Sequence, residues 1–319
     1  MLLASVFAAA CLPRAETAPG ATRVYRIGWL TAQRAASLVP YLDAFRRGLA
    51  DLGYVEGRNL VIEYRYADDA IDRVPGLAAE LVRIPVDLIV AQGAAAFEIN
   101  GLAIPIVYGI SADPVSAGFA DGLARPRGNM TGLTFMAVEM NGKRLELLRE
   151  IIPGLRRVAI VGNPEHPGSH LERGFSEEAG RRLGLEIAYF PTRNRAELTA
   201  AFAVMAEDPP PAISVLADGF AMQNRQDIID FAMSHRIPVI SGWPAFAQSG
   251  AICTYGPRLT DSYRRLAYYV DRILKGAKPA DLPIEQPTKY ELVINLKSAK
   301  TLGIAIPPSV EARADTVIE

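Results

Sequence analysis

The run Val86-Asp87-Leu88-Ile89-Val90-Ala91 constrains the fold most strongly, because a strand so continuously apolar has no wet face and must be covered on both sides. Similar short runs recur from Tyr25 onward and alternate with segments whose apolar residues follow a helical period. That alternation builds parallel sheets with helices on both faces. Strands are expected at 26–31, 59–66, 86–92, 105–110 and 130–135, and a second series at 157–162, 185–190, 212–217, 238–242 and 251–255, with a late strand at 291–295. The predicted class is α/β, with two doubly wound parallel-sheet lobes.

Helix signals support this reading. Pro40 suits the opening turn of a first helix in which Leu42, Phe45, Leu49 and Leu52 share a face and Gly53 is the stop. A later helix, 260–275, repeats the pattern with Thr260 as N-cap, a stripe of Tyr263, Leu266, Ala267, Val270, Ile273 and Leu274, and Gly276 as the C-terminal cap. The breaks at 138–139, 256–257 and 285–287 are where the chain can cross between lobes. Residues 24–137 with 256–285 then form one lobe, and 138–255 with 286–319 the other. The late helix packs back on the first lobe and the late strand returns to the second.

Residues 2–12 are an apolar run of 11 residues, too short for a membrane span of about 20 and of the right length for a secretory signal. Export to the periplasm is expected, although Met1 is followed directly by Leu2 and Leu3 without a basic segment. Cys11, after Ala8-Ala9-Ala10, raises the alternative of a lipid anchor. Residues 13–23 read as a linker.

Lys and Arg total 34 against 35 Asp and Glu, which gives no field for nucleic acid. With two cysteines there is neither a disulfide framework nor a CxxC metal site. Neither GxGxxG after a strand nor GxxxxGK[ST] occurs, and GxSxG is missing as well. His166 and His170 are separated by Pro167 and Gly168, which break the helix an HxxxH metal pair needs, and His235 reads as a helix-end residue. No cofactor, metal or catalytic residue is expected.

In open parallel sheets a ligand lies beyond the carboxyl ends of the strands. Candidates there are Thr31, Gln33, Gln92, Gly93, Ala94, Gly109 and Ser111 in the first lobe, and Asn163, Asp218, Phe220, Trp243 and Tyr255 in the second. These amide, hydroxyl, small and aromatic groups can hold a small polar or zwitterionic molecule without transforming it. Free N–H groups after Gln92-Gly93-Ala94 suit a carboxylate, and Asp218 suits an ammonium group. Plain structural alternatives stand beside each: tight turns for Gly93, Gly109 and Gly162, capping for Asp113-Pro114, a turn for Asn163-Pro164, and core packing for Trp243 and Tyr255.

Five segments carry a family resemblance: GLADLGYVEGRNL at 48–60, ADPV at 112–115, LARPRGNMTGL at 123–133, GKRLELL at 142–148 and LKGAKPADLPIEQPTKYELVINLKSAK at 274–300. From about Arg26 to Glu319 the chain resembles the ABC-transporter substrate-binding proteins linked to aromatic amino acids. The resemblance implies a type I periplasmic binding fold with a three-crossing hinge, a small-molecule ligand, and a membrane permease with its ATPase as partners of a monomeric receptor. A ligand-sensing subunit of a signalling system is the alternative, and a hydrolase or lyase on the same scaffold a third. One departure is specific. Where the family usually has a hydroxyl residue after the glycine of the third strand end, this chain has Ala94, Ala95 and Ala96, which weakens the implied carboxylate grip.

Overall fold

The computed structural model describes residues 23–319, so the expected signal segment and Cys11 lie outside the described residues. The first series comprises β1 (Tyr25–Thr31), α1 (Ala35–Asp51), β2 (Leu60–Tyr66), α2 (Val74–Arg83), β3 (Leu88–Gln92), α3 (Ala95–Glu98), β4 (Ile106–Ile110), a small hairpin β5 (Ala120–Gly122) and β6 (Arg125–Pro126), and β7 (Met130–Thr134). The second comprises α4 (Met140–Ile151), β8 (Arg157–Gly162), α5 (Ser169–Leu183), β9 (Glu186–Pro191), α6 (Arg195–Glu207), β10 (Ile213–Val215), α7 (Gly219–Gln223), α8 (Arg225–Ser234), β11 (Val239–Ser241), α9 (Pro244–Ser249) and β12 (Cys253–Pro257). The chain ends with α10 (Leu259–Leu274), β13 (Tyr290–Asn295), α11 (Leu296–Leu302), α12 (Pro308–Glu311) and β14 (Thr316–Ile318).

Two main sheets result, ordered β2-β1-β3-β4-β7 and β14-β13-β12-β11-β10-β8-β9. All their pairings are parallel except β12 with β13. In the first sheet, register sets Thr31 beside Gln92, Gln92 beside Gly109, and Gly109 beside Leu133. The alternation of side chains along each strand therefore collects these strand-end residues on one face.

That face is covered by α1 and α10. Trp29, Phe45 and Tyr263 are buried together there, with ring centroids 5.0 Å (Trp29–Phe45) and 6.3 Å (Trp29–Tyr263) apart. The two helices touch so closely that a Cβ on Gly48 would stand 2.5 Å from the Arg264 carbonyl. The Tyr54 hydroxyl donates to Asp271 across them at 2.9 Å. The late helix thus covers the first sheet, while β13 joins the second.

Three local expectations need correction. Pro40 lies inside α1 rather than in its opening turn, because the helix starts five residues earlier. Its ring forfeits a bond to the Ala36 carbonyl, and both residues are exposed, so water can take that role. Thr260 is likewise inside α10, where Arg258 precedes the helix without a side-chain cap. No helix follows Asp113-Pro114. Asp113 accepts the Ser116 N–H at 2.6 Å and closes a turn instead.

The crossings between sheets are tied to one another. Leu133 bridges Glu285, the Glu285 carbonyl accepts from Thr134 N–H at 3.0 Å, and Arg258 N–H donates to the Lys289 carbonyl at 3.0 Å. Arg265 holds the Glu285 carboxylate through two bonds of 2.7 and 2.8 Å.

Candidate functional site

The first wall is built at the ends of β1, β3 and β4. Thr31 is buried, and its hydroxyl oxygen accepts the Gln33 N–H at 3.1 Å, which turns the chain toward α1. Gln92 is 1% exposed, and neither its amide oxygen nor its amide nitrogen has a partner among the described residues. A Cβ on Gly109 would stand 2.7 Å from Phe135 Cζ and 2.8 Å from Gln92 Oε1, so glycine here makes room for the carboxamide and the ring. Gly93 has φ +59 and turns the strand into α3. The N–H groups of Gly93, Ala96 and Phe97 are already bonded to the carbonyls of Gly109, Gly93 and Ala94. The expected anion grip after Gln92 is therefore reduced to Ala94 and Ala95, at the start of a single turn.

The second wall uses β8 and β10. Asn163 closes its own turn by accepting the Glu165 N–H at 2.9 Å. Asp218, 2% exposed, caps α7: Oδ1 accepts from Ala221 N–H at 2.8 Å and Oδ2 from Asn163 N–H at 3.1 Å. Burial pushes its carboxyl above the ordinary value against the pull of these donors. The residue expected to hold an ammonium group thus has a structural role as well. Phe220 and Trp243 pack on the core, Trp243 directly before α9. Tyr255 is half-buried beside Tyr290, with ring centroids 6.2 Å apart.

The walls meet directly. His166 Nε2 lies 3.0 Å from the Ser111 carbonyl, which can only accept, so this nitrogen carries the proton. Beside it, Asp113 N–H donates to the Pro167 carbonyl at 3.1 Å. His166, expected only as a loop residue, is one point where the second series touches the first.

Sequence reasoning also missed a buried polar group beneath the second wall. Arg144, 2% exposed, donates from Nε to the Tyr255 carbonyl at 2.8 Å and from an Nη to Asn141 Oδ1 at 2.6 Å. Its guanidinium fills the space over Gly242, where a Cβ would be 2.5 Å away. Among the described residues Glu172, 3% exposed, accepts at its carboxylate only a long bond of 3.5 Å from Asn141. Burial pushes Glu172 up to about 7, with Arg144 pulling the other way and Asp218 adding to the rise. Burial likewise lowers Arg144.

A cavity of about 510 Å³ lies by the crossings rather than at the strand ends, among Asp51, Arg258, Arg264, Arg265, Glu285 and Lys289. Each of its cations already has a carboxylate partner. Among the described residues no cluster of His, Cys, Asp and Glu suits a metal, and no helix is long and apolar enough to cross a membrane.

A family model described as ABC transporter substrate binding protein matches residues 34–318. The chain belongs to that family. This substrate-binding protein is 23% identical over 277 residues to a tyrosine-binding protein of Clostridioides difficile (strain R20291), covering 83% of this chain and 78% of the relative. It shares its fold with the ABC domain in complex with L-Trp from Streptococcus pneumonia, at 24% identity and a TM-score of 0.84, over 92% of this chain and 100% of that one. A ligand-free, open substrate-binding protein with adhesive properties from Clostridium difficile matches at 21% identity and a TM-score of 0.71, over 92% of this chain and 99% of that one. The fold of this substrate-binding protein is the type I periplasmic binding fold that the sequence resemblance implied.

Proposed function

We propose that this substrate-binding protein is the periplasmic receptor of an ABC importer, a monomer that captures an amino acid or a related aromatic acid between two lobes and delivers it to a membrane permease driven by its ATPase. The lobes are 24–137 with 256–285, and 138–255 with 286–319. The observation that supports this reading is that the loop after β8 reaches the loop after β4, with contacts at Ser111–His166 and Asp113–Pro167. Thr31, Gln33, Gln92, Gly93, Ala94, Gly109 and Ser111 form one wall, and Asn163, Asp218, Phe220, Trp243 and Tyr255 the other. The amino-acid class draws support from the names of the relatives. The groups on these walls bind and orient a solute, and the set offers no nucleophile with a base beside it.

A ligand that binds only the folded state raises its stability by about 2.7 kcal/mol at a hundred times its dissociation constant. A thermal-shift panel of L-tyrosine, L-tryptophan, L-phenylalanine, aromatic acids, aliphatic amino acids and small amides should therefore contain at least one solute that raises the melting midpoint by several degrees. A panel without any shift would remove the receptor reading.

Capture between lobes also predicts a population shift toward a closed state, since a ligand held by both walls binds that state better. Small-angle scattering with a saturating panel hit should give a smaller radius of gyration than without it. An unchanged radius under verified binding would count against closure.

A further inference from the structure

We infer that Arg144 is a positioning residue of the hinge: its buried guanidinium ties the first crossing to the second and so confines the two lobes to one path of opening and closing. The inference rests on the two-lobe receptor reading above and adds the part that guides its motion.

The crossings are joined in pairs. The third is tied to the strand leading into the first, where Thr134 N–H donates to the Glu285 carbonyl at 3.0 Å, and to the second, where Arg258 N–H donates to the Lys289 carbonyl at 3.0 Å. Both of these links are backbone bonds. Between the first crossing and the second the link is made by side chains. Arg144 stands near the start of α4, just after the crossing at 138–139, and its Nε donates at 2.8 Å to the Tyr255 carbonyl, just before the crossing at 256–257. Asn141, three residues earlier on the same face of α4, accepts from an Arg144 Nη at 2.6 Å and donates from Nδ2 to the Val138 carbonyl at 3.1 Å. A continuous run of bonds therefore leads from Val138 through Asn141 and Arg144 to Tyr255.

The backbone at the second crossing is shaped to receive this side chain. A Cβ on Gly242 would stand 2.5 Å from an Arg144 Nη, and a Cβ on Gly256 would stand 1.9 Å from the Gly242 carbonyl oxygen. The ends of β11 and β12 thus close on one another beneath the guanidinium. Packing alone does not call for a charge there, because a methionine fills comparable space without the penalty of desolvating a cation. What a methionine cannot do is hold a carbonyl oxygen and an amide oxygen at once, in fixed directions, from one rigid plane. A hinge turns on a few element-end residues that absorb the change in φ and ψ. With Val138 and Tyr255 held at a fixed spacing, the first two crossings turn together and the lobes share one axis. Without the tie each crossing turns by itself.

The test is pulsed electron–electron spin resonance on the whole protein without solute. Spin labels at Val82→Cys and Val204→Cys report across the lobes, and labels at Phe175→Cys and Val204→Cys report within the second. All three positions are exposed, Cys253 is buried, and Cys11→Ser removes the other thiol. Arg144→Met should broaden the interlobe distance distribution at least about one and a half times, with a population more than about 3 Å from the wild-type maximum. The distribution within the second lobe should not change. Asn141→Leu keeps the guanidinium but removes its second acceptor, and should broaden the interlobe distances by less; Asn141→Asp restores an acceptor and should return them to the wild-type width. An unchanged interlobe distribution in Arg144→Met would overturn the inference. Equal broadening of the pair within the second lobe would overturn it too, since Arg144 would then be a packing residue of that lobe. Should Arg144→Met fail to fold, the comparison of Asn141→Leu with Asn141→Asp decides: equal widths for the two overturn the inference. A thermal-shift panel without any hit removes the receptor reading, whereas the brace is read from these distances alone.

Discussion

Gly132→Ala should lower the melting midpoint by roughly 10 °C, at about 2 to 4 °C for each kcal/mol lost in a chain of this size class. Gly132 sits in β7 at φ +152, where a side chain is strained in any surroundings. The surroundings are also closed. A Cβ there would stand 2.0 Å from the Tyr108 carbonyl oxygen and 2.7 Å from its N, both backbone atoms of the neighbouring strand. Overpacking of this kind costs about 1 to 3 kcal/mol when side chains can yield, and backbone strain adds about as much again. Here the strand itself would have to shift. The Gly132 carbonyl moreover accepts the Glu285 N–H at 3.1 Å, so the displacement reaches the third crossing between sheets. Differential scanning calorimetry of the variant is the measurement, and a midpoint within about 2 °C of the wild type would show that β4 and β7 separate at little cost.

Gly132 lies within the segment 123–133 that carries part of the family resemblance, yet its role is invisible in one dimension. The sequence marks glycine; only register with Tyr108 explains it. Strand positions were legible for the opposite reason. Runs such as Leu88-Ile89-Val90-Ala91 are apolar on both faces, and each run expected in the two series appears with its ends within two residues of their expected places. The short hairpin at Ala120–Gly122 with Arg125–Pro126 and the terminal strand Thr316–Ile318 escaped notice because neither has a continuous apolar run.

The site divides in the same way. Gln92 is legible as a candidate because a polar residue ending an apolar strand stands out in the sequence. Asp218 is legible in the same way, but its N-cap role needed the helix Gly219–Gln223, which has too few residues to show a period. Arg144 and Glu172 were missed because charged residues on helices normally face water. A periodicity signal was present. Asn141, Arg144, Leu148 and Ile151 recur at helical spacing and all are buried, so Arg144 occupies the apolar stripe of α4. Ser169, Glu172, Ser176 and Ala179 do the same on α5. A charge in a stripe position is the cue, and its partner lies on another helix, where sequence spacing gives no guide.

That buried pair carries a prediction whose sign decides between two accounts of it. Glu172 is lifted by burial from its ordinary 4.5 to about 7. The folded protein therefore holds this proton more tightly than the unfolded chain. Its stabilising contribution is complete below pH about 4.5 and is lost as the pH rises through 7. At about 1.4 kcal/mol per unit the full loss is about 3 kcal/mol above pH 8. Glu172→Gln keeps the shape and an acceptor for Asn141 while removing the titration. Thermal melts should place the variant level with the wild type at pH 5 and roughly 5 °C or more above it at pH 8. The competing account holds that ionised Glu172 is needed to balance Arg144, whose guanidinium has no carboxylate within salt-bridge distance among the described residues. On that account the glutamine variant melts below the wild type at pH 8, because the Arg144 charge has lost its nearest compensation. Desolvation of Glu172 outweighs the attraction of Arg144 in the direction of the shift, so the first outcome is expected. A lower midpoint for the variant at pH 8 would show that the ion pair, rather than the neutral acid, is the folded state's form.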